Sequence, residues 1–242
     1  MSEKPSAARF PTTCWGRILQ AGDPAAPESR AALEGLCRDY WHPLYAFVRR
    51  KGHDPETAQD LVQGLLAHLL ERDDLRGLGP ERGRFRSFLR ACCTHYLARY
   101  HQRERAARRG GGRVAIPIDA LAAESRFGGE PGHDLTAGDY FERRWALTSL
   151  DHVLAGLDAE MGRSNQRTLY QRLRPALLGH EAAPSYQGIA HELGLTVGAV
   201  KMAAHRLRMR YRERLREEIA RTVADPSEID AEIHALLAAL GR

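Results

Sequence analysis

Residues 185–208 read SYQGIAHELGLTVGAVKMAAHRLR and contain two helical patterns joined by a tight turn. Ser185 is an N-cap residue ahead of a short helix, Tyr186 to Leu193, whose apolar residues fall on one face. Gly194-Leu195-Thr196 provides the turn, and its threonine is a good N-cap for a basic helix that starts at Val197. Two helices separated by a short turn that contains glycine are typical of a helix-turn-helix.

The basic residues of the chain are concentrated in two blocks. The 242 residues include 36 Lys and Arg against 31 Asp and Glu, and the pI is about 9.2. Residues 84–113 hold nine arginines and one acid, and residues 201–216 hold one lysine and six arginines against one acid. Residues 114–142, between the blocks, carry six acids and one base. This pattern predicts two nucleic-acid-binding surfaces joined by an acidic linker.

The apolar periodicity of the rest of the chain is also helical. Asp54-Pro55 is a strong helix start, because Asp caps the helix and Pro fits its first position. Pro43 and Pro175 are predicted to kink or break the helices that contain them. A strand-like segment at residues 114–118 has no pairing partner. The predicted helices cover residues 31–50, 55–70, 85–107, about 140–157, 165–178, 186–193 and 197–220, and the fold class is all-α.

A last amphipathic helix is predicted after the capping box Asp225-Pro226-Ser227-Glu228. Its role is interpreted as packing rather than chemistry. Its predicted inward residues are Ile229, Ile233, Leu236, Leu237 and Leu240.

Motifs for catalysis or cofactor binding are absent from the sequence: there is no Walker loop, GxGxxG, HExxH or GxSxG. Cys92, Cys93 and His95 would point in three directions from one helix, so they could not bind one metal ion without a further ligand. Both cysteines lie on an apolar stripe, which favours core packing over a metalloprotein or redox role. We therefore predict no catalytic residue, no metal, no cofactor and no enzymatic activity.

No apolar run has the length of a membrane span, and residues 1–15 lack the apolar core of a signal peptide. The four cysteines form no disulfide framework. We therefore expect a cytoplasmic protein without a membrane partner.

Several motifs, in this order and spacing, resemble those of bacterial RNA polymerase sigma factors of the sigma-70 family, extracytoplasmic-function (ECF) type. Asp60-Leu61-Val62-Gln63 resembles the polymerase-binding helix of sigma domain 2, and Phe85-Arg86-Ser87-Phe88-Leu89 resembles the start of its promoter-reading helix. Residues 185–208 resemble the helix-turn-helix of sigma domain 4. Phe10 to Trp15, the Arg-Gly-Gly-Gly stretch and the Asp-Pro tail resemble a subgroup associated with serine/threonine kinases.

The resemblance implies a domain organisation and a function. Residues 29–109 would be sigma domain 2, which binds core RNA polymerase and the −10 promoter element, and residues 140–224 would be sigma domain 4, which binds the −35 element. Residues 1–28 would be an N-terminal extension, 110–139 a flexible linker and 225–242 a C-terminal amphipathic helix. The expected function is promoter recognition, DNA melting and transcription initiation. The alternative is a helix-turn-helix transcriptional regulator that binds DNA without core polymerase.

The resemblance also assigns residues to each partner, and it departs from the family pattern at His95, Arg99 and Met202-Ala203. The residues expected at the −10 element are Arg86, Arg90, His95, Arg99 and Arg103. Those expected at the −35 element are Thr196, Lys201, Met202, His205, Arg206 and Arg208. Those expected to bind polymerase are Glu56, Thr57, Asp60 and Gln63.

A further departure concerns the acidic run, Asp-Ala-Glu-Asp, that begins the polymerase-binding helix in the family. This chain has Thr57-Ala58-Gln59-Asp60, which lacks two of the three carboxylates. One hypothesis is that phosphorylation of Thr57 restores the charge, in a helix turn whose dipole favours an anion. The other is that Thr57 is a neutral surface residue and that Glu56 and Asp60 supply enough charge. The expected partners are core RNA polymerase, promoter DNA, a serine/threonine kinase and an anti-sigma factor.

Overall fold

The computed structural model of the chain describes residues 29–71, 84–107, 135–163, 166–178, 183–223 and 225–241. All regular elements in these ranges are helical, so the predicted all-α fold class is confirmed. The predicted strand-like segment 114–118, the extension 1–28 and linker residues 110–134 lie outside the described ranges. The helices are α1 (Ser29–Arg50), α2 (Pro55–Glu71), α3 (Phe85–Ala107), α4 (Ala137–Arg163), α5 (Arg167–Leu177), α6 (Tyr186–Leu193), α7 (Val197–Ala220) and α8 (Ile229–Leu240), with a 3-10 turn at Pro226–Glu228.

The described part of the chain divides into two compact units. Unit 1 contains the residues up to Ala146 and those from Ala220 onward, and unit 2 contains Leu147–Ile219. The boundary between the units therefore falls inside α4, and α8 belongs to unit 1. This differs from the predicted boundaries, in which α4 lay wholly in the second domain and α8 followed that domain as a separate element.

The start of α4 is fixed by a capping box that the sequence analysis did not use. The Thr136 N–H donates to Asp139 Oδ2 over 3.1 Å, and the Asp139 N–H donates to Thr136 Oγ1 over 3.2 Å. Reciprocal capping satisfies two backbone donors at the first turn. As a result, α4 begins at Ala137, three residues before the predicted start.

The core of unit 1 is built from the predicted apolar faces of α1, α2 and α3. α1 runs through Pro43 as one helix and buries Leu44 and Val48. The buried residues of α2 recur every three or four positions, and the ring of Phe85 on α3 packs edge-on against Tyr40 with centroids 5.3 Å apart. The residues of α2 that are buried are Ala58, Leu61, Val62, Leu65 and Leu69.

α8 packs largely through the predicted face: Leu236 is buried, and Ile229, Ile233 and Leu240 are partly buried. Its buried residues are Glu232, Leu236 and Ala239, whereas Leu237 is 53% exposed. The prediction that Leu237 faces inward was therefore wrong. Glu232, which is held by Arg84 and Arg86, shares the buried face in its place.

Candidate nucleic-acid interfaces

The helix-turn-helix in unit 2 forms as the sequence predicts. Ser185 Oγ accepts the N–H of Gly188 over 3.0 Å and caps α6. Gly194 ends that helix in the left-handed conformation with φ of 64°, where glycine carries no steric penalty. Thr196 Oγ1 accepts the N–H of Ala199 over 3.1 Å and caps α7.

The two helices are held by a shared apolar core. Ile189 and Ala190 of α6 are buried with Val200 and Leu207 of α7. Leu157 of α4 and two residues of α5, Tyr170 and Leu173, complete the cluster. The face of α7 that turns away from this core is therefore fixed, and this face holds the predicted −35 residues.

That outer face is cationic with an apolar centre. All six residues predicted for the −35 element are exposed, and Met202 is 57% exposed. Lys201 and Arg206 make no ion pair or hydrogen bond with any other residue in the described ranges. Their charges are therefore available to phosphate groups. The exposed residues are Thr196, Lys201, Met202, His205, Arg206 and Arg208.

Other arginines of α7 are committed within unit 2. The guanidinium of Arg208 donates to the Tyr186 hydroxyl over 2.7 Å. Glu160 of α4 accepts from Arg210 over 2.8 Å and from Arg214 over 2.7 Å. Hydrogen bonds from Arg210 and then Arg214 lower the pKa of Glu160, against the opposing effect of burial. Arg210 and Arg214 therefore anchor α7 to α4. The number of arginines in residues 201–216 could not show that these two hold the helices together instead of contacting DNA.

The second predicted surface lies on α3 in unit 1. His95, Arg99 and Arg103 are exposed and recur every four residues, so they form one stripe along the helix. Arg90 is only partly exposed, and its guanidinium lies 3.2 Å from Glu142 Oε1. The structure thus brings together three of the five residues predicted for the −10 element.

Arg86 does not share this exposed stripe. It is only 4% exposed, its Nε lies 2.7 Å from Glu142 Oε2, and its guanidinium carbon lies 4.1 Å from the centre of the Trp145 ring. Its Nη2 donates to Glu232 Oε2 over 3.2 Å. Burial lowers the pKa of Arg86, and the charge of Glu142 opposes this shift. The prediction that Arg86 is a surface contact for DNA therefore does not hold for the conformation described.

The predicted polymerase-binding residues lie along α2. Glu56 and Asp60 are exposed, whereas Thr57 and Gln63 are partly buried. The Thr57 N–H donates to Asp54 Oδ1 over 3.0 Å, and the hydrogen bond from the Thr57 side chain is the main cause that lowers the pKa of Asp54. The Thr57 hydroxyl is therefore part of the cap of α2. A phosphate at this position would lie next to the Asp54 carboxylate.

A close approach between α2 and α3 lies next to these residues. A Cβ on Gly64 would overlap the hydroxyl of Tyr96, whose ring also lies 5.9 Å from that of His68. Glycine at this position therefore leaves the room on α2 that the Tyr96 side chain occupies.

The cysteine cluster has the properties of a packing site. Burial raises the pKa of the Cys93 thiol to about 12, while Cys92 is only partly buried and His95 is exposed. Across the described residues, no group of three His, Cys, Asp or Glu side chains could hold a metal ion. No described helix is both long enough and apolar enough to span a membrane.

Comparison with known proteins gives no relative from which to transfer a function. No protein-family model matches the chain, and neither a curated protein nor a solved structure matches it significantly.

Proposed function

We propose that this chain is an ECF-type sigma factor of the sigma-70 family, which binds core RNA polymerase and directs promoter recognition and transcription initiation in the cytoplasm. The observation that carries the proposal is the capped helix-turn-helix of unit 2, whose outer face presents Lys201 and Arg206 without an ionic partner among the described residues. A second basic helix, α3, precedes it in the chain and follows the Asp60 to Gln63 motif. This order is the one that the sigma-70 resemblance requires.

On this proposal, α7 enters the major groove of the −35 element. Lys201 and Arg206 neutralise phosphates, which sets the position and the salt dependence of binding. Met202, at the centre of the exposed face, is suited to contact the methyl group of a thymine. The function is recognition, so no catalytic residue or cofactor is needed.

The stripe of His95, Arg99 and Arg103 on α3 would contact the −10 element. Its cations suit the backbone of a melted strand, and the imidazole can stack on an unpaired base. Glu56 and Asp60 at the start of α2 would meet a basic surface of the polymerase clamp. The acidic segment between the basic blocks would lie in a channel that is built for nucleic acid.

The experiment that tests this proposal is size-exclusion chromatography of the full chain with core RNA polymerase, followed by binding to promoter DNA. A sigma factor co-elutes with core and binds promoter tightly only in that complex. A helix-turn-helix regulator, the second candidate, binds duplex DNA tightly alone and does not co-elute. Failure to co-elute in any modification state contradicts the proposal.

Phosphorylation of Thr57 is the regulatory part of the proposal. A phosphate carries about −1.5 to −2 charges at neutral pH and would restore the acidity that α2 lacks relative to the family. Because the hydroxyl caps α2 through Asp54, phosphorylation would also exchange that hydrogen bond for repulsion between two anions. The modified threonine side chain would therefore turn outward, toward a basic partner such as the polymerase clamp.

Thr57→Glu is expected to recover more core polymerase in pull-down than Thr57→Ala. Thr94→Glu is the matched control, because Thr94 is exposed on α3, outside the predicted polymerase-binding surface. Equal recovery and equal transcription by the two Thr57 variants would remove the phosphorylation hypothesis and leave the sigma-factor proposal intact.

A further inference from the structure

The C-terminal helix places a buried carboxylate on two arginines at the start of α3. Glu232 is fully buried, and its Oε2 lies 3.0 Å from Arg84 Nε and 3.2 Å from Arg86 Nη2. The second oxygen, Oε1, contacts Arg86 Nη1. Two guanidiniums from the basic block thus converge on one pair of oxygens.

This arrangement is the one by which proteins hold a phosphate. Guanidinium groups bind carboxylate and phosphate oxygens with the same planar, two-donor geometry. Arg84 and Arg86 also belong to the block of nine arginines that the sequence assigns to nucleic acid. The Glu232 carboxylate therefore stands where a phosphodiester oxygen could stand.

The helix that carries this carboxylate is also attached through an apolar face. Leu236 and Ala239 are buried, and Ile229, Ile233 and Leu240 are partly buried. A hydrogen bond from Arg143 Nη1 to the Leu240 carbonyl, of 3.1 Å, secures its last turn. Its segment is acidic, with Asp225, Glu228 and Asp230 in addition to Glu232. The ionic contact of Glu232 is the part of this attachment for which a polyanion such as DNA can compete.

Two contacts that do not involve α8 also orient Arg86. Its Nε lies 2.7 Å from Glu142 Oε2, and Trp145 lies against its guanidinium plane. Both partners belong to the part of α4 that lies in unit 1. Loss of α8 would therefore uncover a preformed pair of donors rather than a disordered side chain.

We propose that Arg84 and Arg86 form a phosphodiester-binding site on unit 1, and that α8 closes this site by placing Glu232 where the phosphate binds. The inference rests on the proposed nucleic-acid function and adds a way in which DNA binding is regulated. DNA must displace α8 before it reaches Arg86, which is 4% exposed, whereas Arg84 is already exposed. Arg86, buried in the closed form, then becomes a contact on a different side of α3 from the exposed stripe.

The first test is hydrogen exchange of the full chain with and without a mixed-sequence single-stranded DNA oligonucleotide. The proposal predicts that bound DNA accelerates amide exchange in residues 229–240, because α8 is released. DNA that binds while the protection of α8 stays the same or rises overturns the inference, since α8 is then a structural helix. That result would leave the sigma-factor proposal untouched.

The second test compares Glu232→Gln with Glu228→Gln, which removes the same charge from an exposed site one turn earlier. If α8 stands closed about nine-tenths of the time, Glu232→Gln tightens DNA binding about tenfold, and Glu228→Gln leaves it unchanged. Adding Arg84→Ala to Glu232→Gln removes the gain. Equal affinity of the wild type and Glu232→Gln overturns the inference.

Circular dichroism identifies whether Glu232→Gln still folds. If it does not, Arg143→Gln takes its place, because it loosens α8 through the Leu240 carbonyl without touching either arginine of the site. It is expected to tighten DNA binding in the same direction. If neither the wild type nor either variant binds DNA when core polymerase is present, that result contradicts both the proposed function and the proposed site.

Discussion

Helices α3 and α7 are both rich in arginine, but their ion-paired arginines lie at opposite ends: near the start of α3 and toward the end of α7. In α7 the first cations, Lys201 and Arg206, are free for phosphate, and the later ones, Arg210 and Arg214, are held by Glu160. In α3 the first arginines are paired with carboxylates, and the later cations form the exposed stripe. The number of arginines therefore does not tell which of them can meet a nucleic acid. The carboxylates packed against each helix decide it.

The largest expected effect is on the stability of unit 1. Arg86→Ala removes the cation that pairs with Glu142 and Glu232, and it should cost about 1–3 kcal/mol, because α8 can release the Glu232 carboxylate to solvent. Arg99→Ala, on the exposed stripe of the same helix, should change the free energy of unfolding by less than about 0.5 kcal/mol. Urea unfolding measures both. Similar values for the two variants would show that the paired and exposed arginines of α3 do not differ in the way described.

The next effect concerns the salt dependence of DNA binding by unit 2. Lys201→Ala and Arg206→Ala should each lower the slope of log affinity against log salt by about 0.9, because each removes one phosphate contact. Arg214→Ala should leave the slope nearly unchanged, since its guanidinium is occupied by Glu160. Fluorescence anisotropy over a range of salt concentrations measures the slopes. An equal loss for Arg214→Ala would contradict the division of α7 into free and committed cations.

A smaller effect is expected on base preference. Met202→Ala should weaken the preference for thymine at one position of the −35 element by about 1 kcal/mol. Met209→Ala is the matched control, because Met209 is also exposed but lies two turns farther along α7. Competition between promoter variants measures the preference. A change at Met209 and none at Met202 would place the reading surface farther along the helix.

The smallest effect is on acid stability. The pKa of Glu160 is held below its ordinary value of 4.5, so its contribution to stability is present above that pH and is lost as the pH falls through the lowered pKa. Because the side chain is partly exposed, the loss should be at most about 1 kcal/mol. Thermal unfolding below pH 4.5 is expected to show a flatter pH dependence for Glu160→Gln than for the wild type. Identical profiles would mean that Glu160 does not anchor α7.

Sequence reasoning was sufficient where the cause of the structure is local. The caps at Asp54, Ser185 and Thr196 and the apolar periodicity of α2 predicted helix starts and buried faces that the structure confirms. The start of α4 was missed although its signal is also local, because Thr136 and Asp139 form an ordinary capping box.

The remaining differences come from partners that are distant in sequence. Glu142 lies 56 residues from Arg86, and Glu232 lies 146 residues from it, so no periodicity links them. A glutamate on a helix is normally on the solvent side, so the apolar pattern of α8 gave no sign that Glu232 is buried beside Leu236. The burial of Arg86 and the burial of Glu232 therefore belong to one contact.

The most direct measurement of the sigma-factor proposal is run-off transcription with core RNA polymerase on a library of genomic fragments. The proposal predicts transcripts that start at discrete positions only when both core and this chain are present, and that are lost when Lys201 and Arg206 are both replaced by alanine. Start sites that do not change when the chain is added, or no transcripts together with failure to co-elute with core, would contradict it.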